Sequence, residues 1–367
     1  MRRAWIQIHL WLGLTLGVLG IFIGTTGSLL LYDHEIDAWL NPQRYAVTGA
    51  RVSLTYAEYA AAVAQALGGG ARVVNLRLPE QEGMPIVAVA RARDGATFYR
   101  VYVDPPTGRV LDAVPGGGVI GWIHRFHENL TLREYGGREI VGLVGFAMLI
   151  SSLSGIYLWW PARGRLREAL GARPGLARSR NLHYLCGFYG SLILALLSFT
   201  GVWLAYPDAG RAIVAGFSQV SPLARNVQAG EYRGKPIPPD GAVSAAQTLY
   251  PQARVTGVGL PAGPRGVYRV NLRDADGAIA VFIDPATAAV ARRADSSTRS
   301  AGDRFLAVQR RLHTGEAFGA GRIALFLAGL LPAVLAATGS ILWLKKRRPR
   351  TPRGSLQGPA AKILESR

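Results

Sequence analysis

Asp, Glu, Lys and Arg vanish from four long stretches of the chain: 8–32, 140–160, 182–206 and 323–344. Each is apolar and long enough, as a helix, to cross a hydrocarbon core about 30 Å thick. Only helices and closed barrels satisfy their backbone in lipid, and these runs are far too long for barrel strands. Between them the polarity changes its period. Thr55 and Glu58 make a T-x-x-E box ahead of YAEYAAAVAQAL, which predicts a short capped helix ended by Gly68-Gly69-Gly70. ARVVNLRL, MPIVAVARA and TFYRVYVD alternate as strands, with Asp94-Gly95 as a hairpin turn. Past the third apolar run, AVSAAQTLY predicts a helix. ARVTGVGL, GVYRVNLRD and AIAVFIDP follow as strands around Asp276-Gly277, in a Gly- and Pro-rich unit with less helix than the first.

The predicted architecture is a four-transmembrane-helix bundle with two extramembrane α+β insertions. Its segments are a first span over 1–34, an insertion over 35–114, an amphipathic segment with the second span over 115–160, and a basic loop over 161–182. The third span follows over 183–206, then a second insertion over 207–300, an amphipathic segment with the fourth span over 301–344, and a basic tail over 345–367.

The two halves are one unit used twice. His9 and His183 are 174 residues apart, as are Gly27 and Gly201; Asp104-Pro105 and Asp284-Pro285 are 180 apart; His127 and His313 are 186 apart. All four spans also carry a glycine followed by aromatics: GSLLLY, GIYLWW, GVWLAY and GSILW.

Charge fixes an expected orientation. The formal net charge is +19 over 367 residues. In a soluble protein that would suggest nucleic acid, but segments 1–8, 161–182 and 345–367 hold 16 of the 42 basic residues and only two acids, Glu168 and Glu365, which leaves 14 of the net charges in short flanks of the spans. Positive flanks face the cytoplasm. Both termini are therefore expected inside a bacterial inner membrane and both insertions in the periplasm, with lipid rather than nucleic acid as the surrounding partner. The N-terminal run is expected to stay as an anchor, because no small-residue cleavage site follows it. The one cysteine, Cys186, lies in the third span, so no disulfide framework, zinc knuckle or iron–sulfur site can be assembled, and the absence of CxxCH excludes covalent haem.

Six histidines remain as candidate chemistry, none in the middle of a span. His9 and His183 mark the cytoplasmic ends of spans one and three; His127 and His313 precede spans two and four on the other side, with His34 and His124 in reserve there. Any one of them reads equally as an interfacial anchor. Two matched pairs at two depths are also what a six-coordinate b-type haem requires, with an imidazole on each porphyrin face. Arg138 and Arg322, just before spans two and four, suit haem propionates or lipid headgroups equally.

The motifs IHLWLGL with GTTG, HENLTLREYGGREIVGL, LHYLCGFYG with FTG, and LHTGEAFGAGRIAL with ATG resemble the PepSY-associated transmembrane family of bacterial inner-membrane proteins over essentially all of residues 1–348. The resemblance implies PepSY-like insertions of helix then hairpin. It also implies two b haems, held by His9, His183, His127 and His313, and an oxidoreductase that passes electrons from a cytoplasmic or quinol donor to a periplasmic ferric siderophore. Two other classes compete. One is a non-redox membrane protein that restrains periplasmic proteins or peptidases; the other is a transporter, for which Pro332 is the only break inside a span.

Overall fold

The computed structural model describes residues 1–160, 177–221, 227–231, 235–295 and 299–347. Most of the expected basic loop and tail, 161–176 and 348–367, lies outside the described residues. Among the described residues three helices are long and apolar enough to cross a membrane: α6 (Gly137–Trp159), α7 (Arg178–Ala205) and α11 (Arg322–Arg347). A fourth crossing is available if α1 (Arg2–Thr15) and α2 (Gly17–Leu30), which meet at 63°, form one broken span. The sequence predicts a single straight helix there. Leu16 joins the two with φ −97° and ψ −9°, next to Gly13 and Gly17, and Thr15 Oγ1 donates back to Trp11 O at 2.7 Å. Glycine and hydroxyl back-bonding both weaken the i to i−4 ladder and permit such a bend. His9 and Gly27 are thus not ends of one straight 18-residue rod.

The spans are packed with small and hydroxylated residues inside and large ones outside. Ser152, Ser154, Ser191, Ala195, Ser198, Thr200, Ala328 and Thr338 are buried, while Phe22, Phe146, Leu153, Leu192, Leu327 and Ile341 are exposed. This is the inverse of a water-soluble bundle and suits helices that meet each other in lipid. At the α2–α11 crossing a Cβ on Gly24 would strike Gly329 O, and one on Gly329 would strike Ser28 Oγ. Ser28 Oγ donates to Phe326 O at 2.7 Å across the same crossing.

Outside the bundle the chain builds a single eight-stranded antiparallel sheet. Its strands are β1 (Arg72–Arg77), β2 (Ile86–Arg91), β3 (Phe98–Val103), β4 (Val110–Pro115), β5 (Arg254–Gly259), β6 (Tyr268–Asp274), β7 (Gly277–Ile283) and β8 (Val290–Ala294), in the order β4-β3-β2-β1-β5-β6-β7-β8. The sequence reading has two separate three-stranded units. Instead each gains a fourth strand, and the two join where Asn75, Leu76 and Arg77 pair with Gly259, Val258 and Gly257. An unpaired β1 or β5 would expose a ladder of backbone donors and acceptors, and the mutual pairing removes both edges. The halves correspond in detail: bulges fall at Val73/Asn75 and again at Val255/Gly257.

One face of the sheet is covered by α4 (Tyr56–Ala66), which carries the Thr55–Glu58 capping box, and by α9 (Pro239–Leu249). Both have 11 residues, so the second unit is not the poorer in this helix. Tyr59, Val63, Ala242, Val243 and Ala246 pack on Leu76, Ala88, Val101, Val258, Val270 and Val281 as one core. On the opposite face, α3 (Asp33–Leu40) and the turn Pro42–Tyr45 tie the first span to the sheet. Buried Asp37 accepts from Arg44 Nη1 at 2.5 Å, Tyr45 OH at 3.0 Å and Tyr102 OH at 2.8 Å, and Arg44 Nε donates to Asp112 at 2.7 Å. From the two ends of the sheet the chain returns through α5 (Gly118–Asn129) into α6 and through α10 (Ala301–His313) into α11. The short helix α8 (Pro207–Ala215) stands at the end of α7.

Candidate functional site

The four histidines of the matched pairs sit on four different helices, and the fold brings them together two by two. His9 on α1 and His183 on α7 have ring centroids 6.4 Å apart; His127 on α5 and His313 on α10 have theirs 6.1 Å apart. The other two histidines join neither pair. His124 turns outward, its Nε2 3.2 Å from Glu128 Oε1, and His34 is exposed on α3.

Each paired imidazole is anchored by Nδ1 to a neighbouring helix, and the anchor is the same four times. His9 Nδ1 lies 3.1 Å from Ser151 O and 3.0 Å from Ser154 Oγ; His127 Nδ1 lies 2.9 Å from Ile23 O and 3.3 Å from Thr26 Oγ1. His313 Nδ1 lies 3.1 Å from Leu197 O and 3.0 Å from Thr200 Oγ1, and His183 Nδ1 lies 2.9 Å from Thr338 Oγ1 beside the Leu335 carbonyl. A carbonyl can only accept. The hydroxyls have already spent their hydrogens on their own helices, Thr26 on Phe22 O, Thr200 on Leu196 O, Thr338 on Val334 O and Ser154 on Ser151 O. Nδ1 must therefore carry the proton in every ring, which leaves the Nε2 lone pair bare. The residue after each hydroxyl is a glycine that lets the ring lie flat against the helix. A Cβ on Gly27 would come 2.7 Å from His127 Cε1, on Gly201 3.1 Å from His313 Cε1, on Gly155 3.3 Å from His9 Cε1, and on Gly339 3.4 Å from His183 Cε1.

The sequence reading quotes three of these hydroxyls, in GTTG, FTG and ATG, as marks of a resemblance and assigns none of the four a role. Its four Gly-aromatic motifs name the right glycines, but the signal lies one residue earlier, in the recurring hydroxyl-glycine step of Thr26-Gly27, Ser154-Gly155, Thr200-Gly201 and Thr338-Gly339. Arg138 and Arg322 are engaged elsewhere. Arg138 Nη2 donates to Leu204 O at 2.6 Å, and Arg322 donates to Leu31 O and to Glu35 Oε1 at 3.1 Å. Each serves the end of a neighbouring helix, where a cation satisfies orphan carbonyls.

The electrostatics favour neutral rings. Burial pushes the His127 and His313 imidazoles below their ordinary titration range, His313 to about 4. Neutral imidazole is the form that ligates a metal. Among the described residues no group of three or more His, Cys, Asp or Glu could hold an ion unaided. Two facing nitrogens suffice only for a metal that brings its remaining ligands with it, as iron in a porphyrin does.

The spacing agrees with that donor set. Two metal–imidazole bonds of about 2.0–2.1 Å, with each centroid roughly 1.1 Å behind its nitrogen, place the centroids about 6.3 Å apart. A second observation points the same way. Among the described residues four buried side-chain polar atoms have no partner: Ser179 Oγ, Trp159 Nε1, Asn129 Oδ1 and Gln309 Oε1. Ser179 is four residues before His183, Trp159 four after Gly155, Asn129 two after His127 and Gln309 four before His313. Every orphaned group thus lies within about one helical turn of a paired histidine or the glycine facing it, two for each pair. Buried polar atoms are satisfied almost without exception, so this clustering marks places where a polar-edged group completes the structure. The residues present fit haem at both pairs.

No curated protein matches the chain. The family model for the PepSY-associated TM region matches residues 6–346, taking in the bundle, the sheet and both histidine pairs, and the chain belongs to that family.

Proposed function

We propose that the chain is a four-span, di-haem b oxidoreductase of a bacterial inner membrane. In this reading its termini are cytoplasmic, its sheet is periplasmic, and it delivers electrons to a periplasmic ferric siderophore for iron release. The observation that carries the proposal is the fourfold anchor, in which every Nδ1–H is tied to a carbonyl or hydroxyl, so that the Nε2 lone pair is left free on four rings paired 6.4 and 6.1 Å apart. Haem at these pairs supplies reversible one-electron chemistry, which the side chains lack.

The chain's own residues do the rest. His9 with His183, and His127 with His313, present neutral nitrogens from opposite sides. Ser154, Thr26, Thr338 and Thr200 hold the rings in one tautomer, and a hydrogen bond at Nδ1 tunes the basicity of Nε2 toward a metal. With an imidazole from each helix a bound haem would have no position left for substrate, and the acceptor would be reduced from outside. The two sites are separated along α7, where His183 and Gly201 lie 18 residues apart, about 27 Å of helix at ~1.5 Å per residue. Each electron therefore crosses in shorter stages than the whole membrane. One electron from a quinol or a cytoplasmic reductant converts Fe(III) to Fe(II), which holds hard oxygen donors more weakly.

Visible spectra of the purified protein before and after dithionite test the cofactor. Reduced b-type bands are expected, and His9→Ala, His183→Ala, His127→Ala and His313→Ala should each remove about half of them. A colourless protein overturns the reading and favours a non-redox anchor for periplasmic proteins. The acceptor is tested anaerobically by adding ferric siderophore and a ferrous trap to the reduced protein. Reoxidation should match the trapped Fe(II), and protein that stays reduced with every chelate would remove iron release from the proposal.

A further inference from the structure

Among the described residues no helix covers the middle of the sheet face opposite α4 and α9, and its register places arginines on it from end to end. One cross-strand row runs Val114, Arg100, Val89, Asn75, Gly259, Arg269, Phe282, Arg292; the next runs Asp112, Tyr102, Val87, Arg77, Gly257, Asn271, Ala280, Ala294. Arg72 with Arg91, and Arg254 with Arg273, extend the same face at either side. The one acid in the two rows, Asp112, is occupied by Arg44. Arg77, Arg91, Arg269 and Arg273 have no carboxylate partner among the described residues.

At the centre of this face the second half has Gly257 and Gly259 where the first has Asn75 and Arg77. Two adjacent positions on β5 therefore carry no side chain. They floor a trough one strand wide, with Asn75 and Arg77 of β1 on one side and Arg269 and Asn271 of β6 on the other. The walls stand two strand spacings apart, about 9.6 Å between backbones, within reach of both guanidinium groups.

The trough sits where the two halves meet, since Leu76 and Val258 pair with each other. The matched histidines follow the two outer ends of the same sheet, His127 on α5 after β4 and His313 on α10 after β8, and their rings also meet. Tyr102 and Asp112 of this face contact Arg44 and Asp37 in the connection from α2, so it is the face joined to the bundle.

We propose that this face is the docking site for the acceptor, and that the acceptor is a polycarboxylate chelate of a trivalent metal held in the trough over Gly257 and Gly259 by Arg77 and Arg269. Guanidinium forks bind carboxylates in paired hydrogen bonds, Asn75 and Asn271 supply amide donors between them, and the positive face gathers an anion from a distance. The purpose assigned to the site rests on the electron-transfer reading; the binding does not.

Calorimetric titration of the purified full-length protein with gallium(III) citrate, which accepts no electron, tests it. Binding is expected to weaken as ionic strength rises and to fall at least tenfold in Arg77→Gln/Arg269→Gln. Arg293→Gln, on the opposite face beside Val281, should bind as the parent does. Gly259→Leu should abolish binding while every arginine is kept; its Cβ meets only Arg269 Cβ at 3.5 Å, Arg269 O at 3.7 Å and Val74 O at 3.9 Å, so the strand accepts it. Unchanged binding in the double variant, intact binding in Gly259→Leu, or equal affinity for an uncharged gallium(III) trihydroxamate each overturns the proposal. A colourless protein that still binds gallium citrate refutes the haem reading alone. A haem-loaded protein that ignores gallium citrate refutes only this site.

Discussion

At the scale of single residues, the glycines that face the histidines are the most sensitive positions in the molecule. Gly27 is tighter than Gly201, because a methyl group would stand 2.7 Å from His127 Cε1 in one case and 3.1 Å from His313 Cε1 in the other. Gly27→Ala should therefore cost more of the reduced b-type absorbance than Gly201→Ala, each with overpacking strain of about 1–3 kcal/mol. Equal retention of both would mean that the rings do not need the flat helix surface. The hydroxyls permit a milder test. Thr338→Val keeps the shape and the Leu335 carbonyl but removes one acceptor from His183 Nδ1. On the proposed di-haem reading the cofactor should remain while its midpoint potential shifts in a redox titration, since the hydrogen bond at Nδ1 sets ligand basicity.

At the scale of elements, the connection from the first span to the sheet depends on a buried ion pair. Side chains of Arg44 and Asp37 are 8% and 4% exposed, and Asp37 satisfies two tyrosine hydroxyls as well. Asp37→Ala leaves a buried guanidinium with Asp112 alone and should destabilise the protein by about 3–5 kcal/mol, read as a fall in thermal midpoint. Asp112→Ala removes a partner that is 28% exposed and should cost clearly less. At the α2–α11 crossing, Gly329→Val forces apart helices whose backbones touch. A loss of melting cooperativity is expected there, whereas Gly13→Ala, with open space around it, should be tolerated. Much at this scale was legible beforehand: the capped helix at Thr55, the turn at Asp94-Gly95 and the strands announce themselves through short-range hydrogen bonding and period-two alternation. The bend at Leu16 did not, since apolar composition is continuous through it and glycines recur along the whole run, so Gly13, Thr15 and Gly17 permit a turn without marking it.

At the scale of the whole molecule, the charge distribution predicts which way the chain lies in the membrane. In a Cys186→Ala background, Asp276→Cys in the sheet should react with an impermeant maleimide added to intact spheroplasts, and Lys346→Cys should react only after lysis. The opposite labelling pattern would invert the proposed direction of electron flow. The sequence by itself determined that apolar helices of spanning length alternate with α+β segments, and that His9 and His183, like His127 and His313, recur at similar separations. These follow from composition, periodicity and spacing, which are local or additive properties. Tertiary structure alone decided that the two units share one sheet through β1 and β5, that His124 turns away while His127 turns in, that Arg138 and Arg322 are spent on helix ends, and that four hydroxyl-glycine steps hold the rings. Each of those depends on which backbone carbonyl or strand edge a distant segment meets. Sequence separations of 101 to 155 residues between the histidines and their hydroxyls leave no local pattern from which such meetings follow.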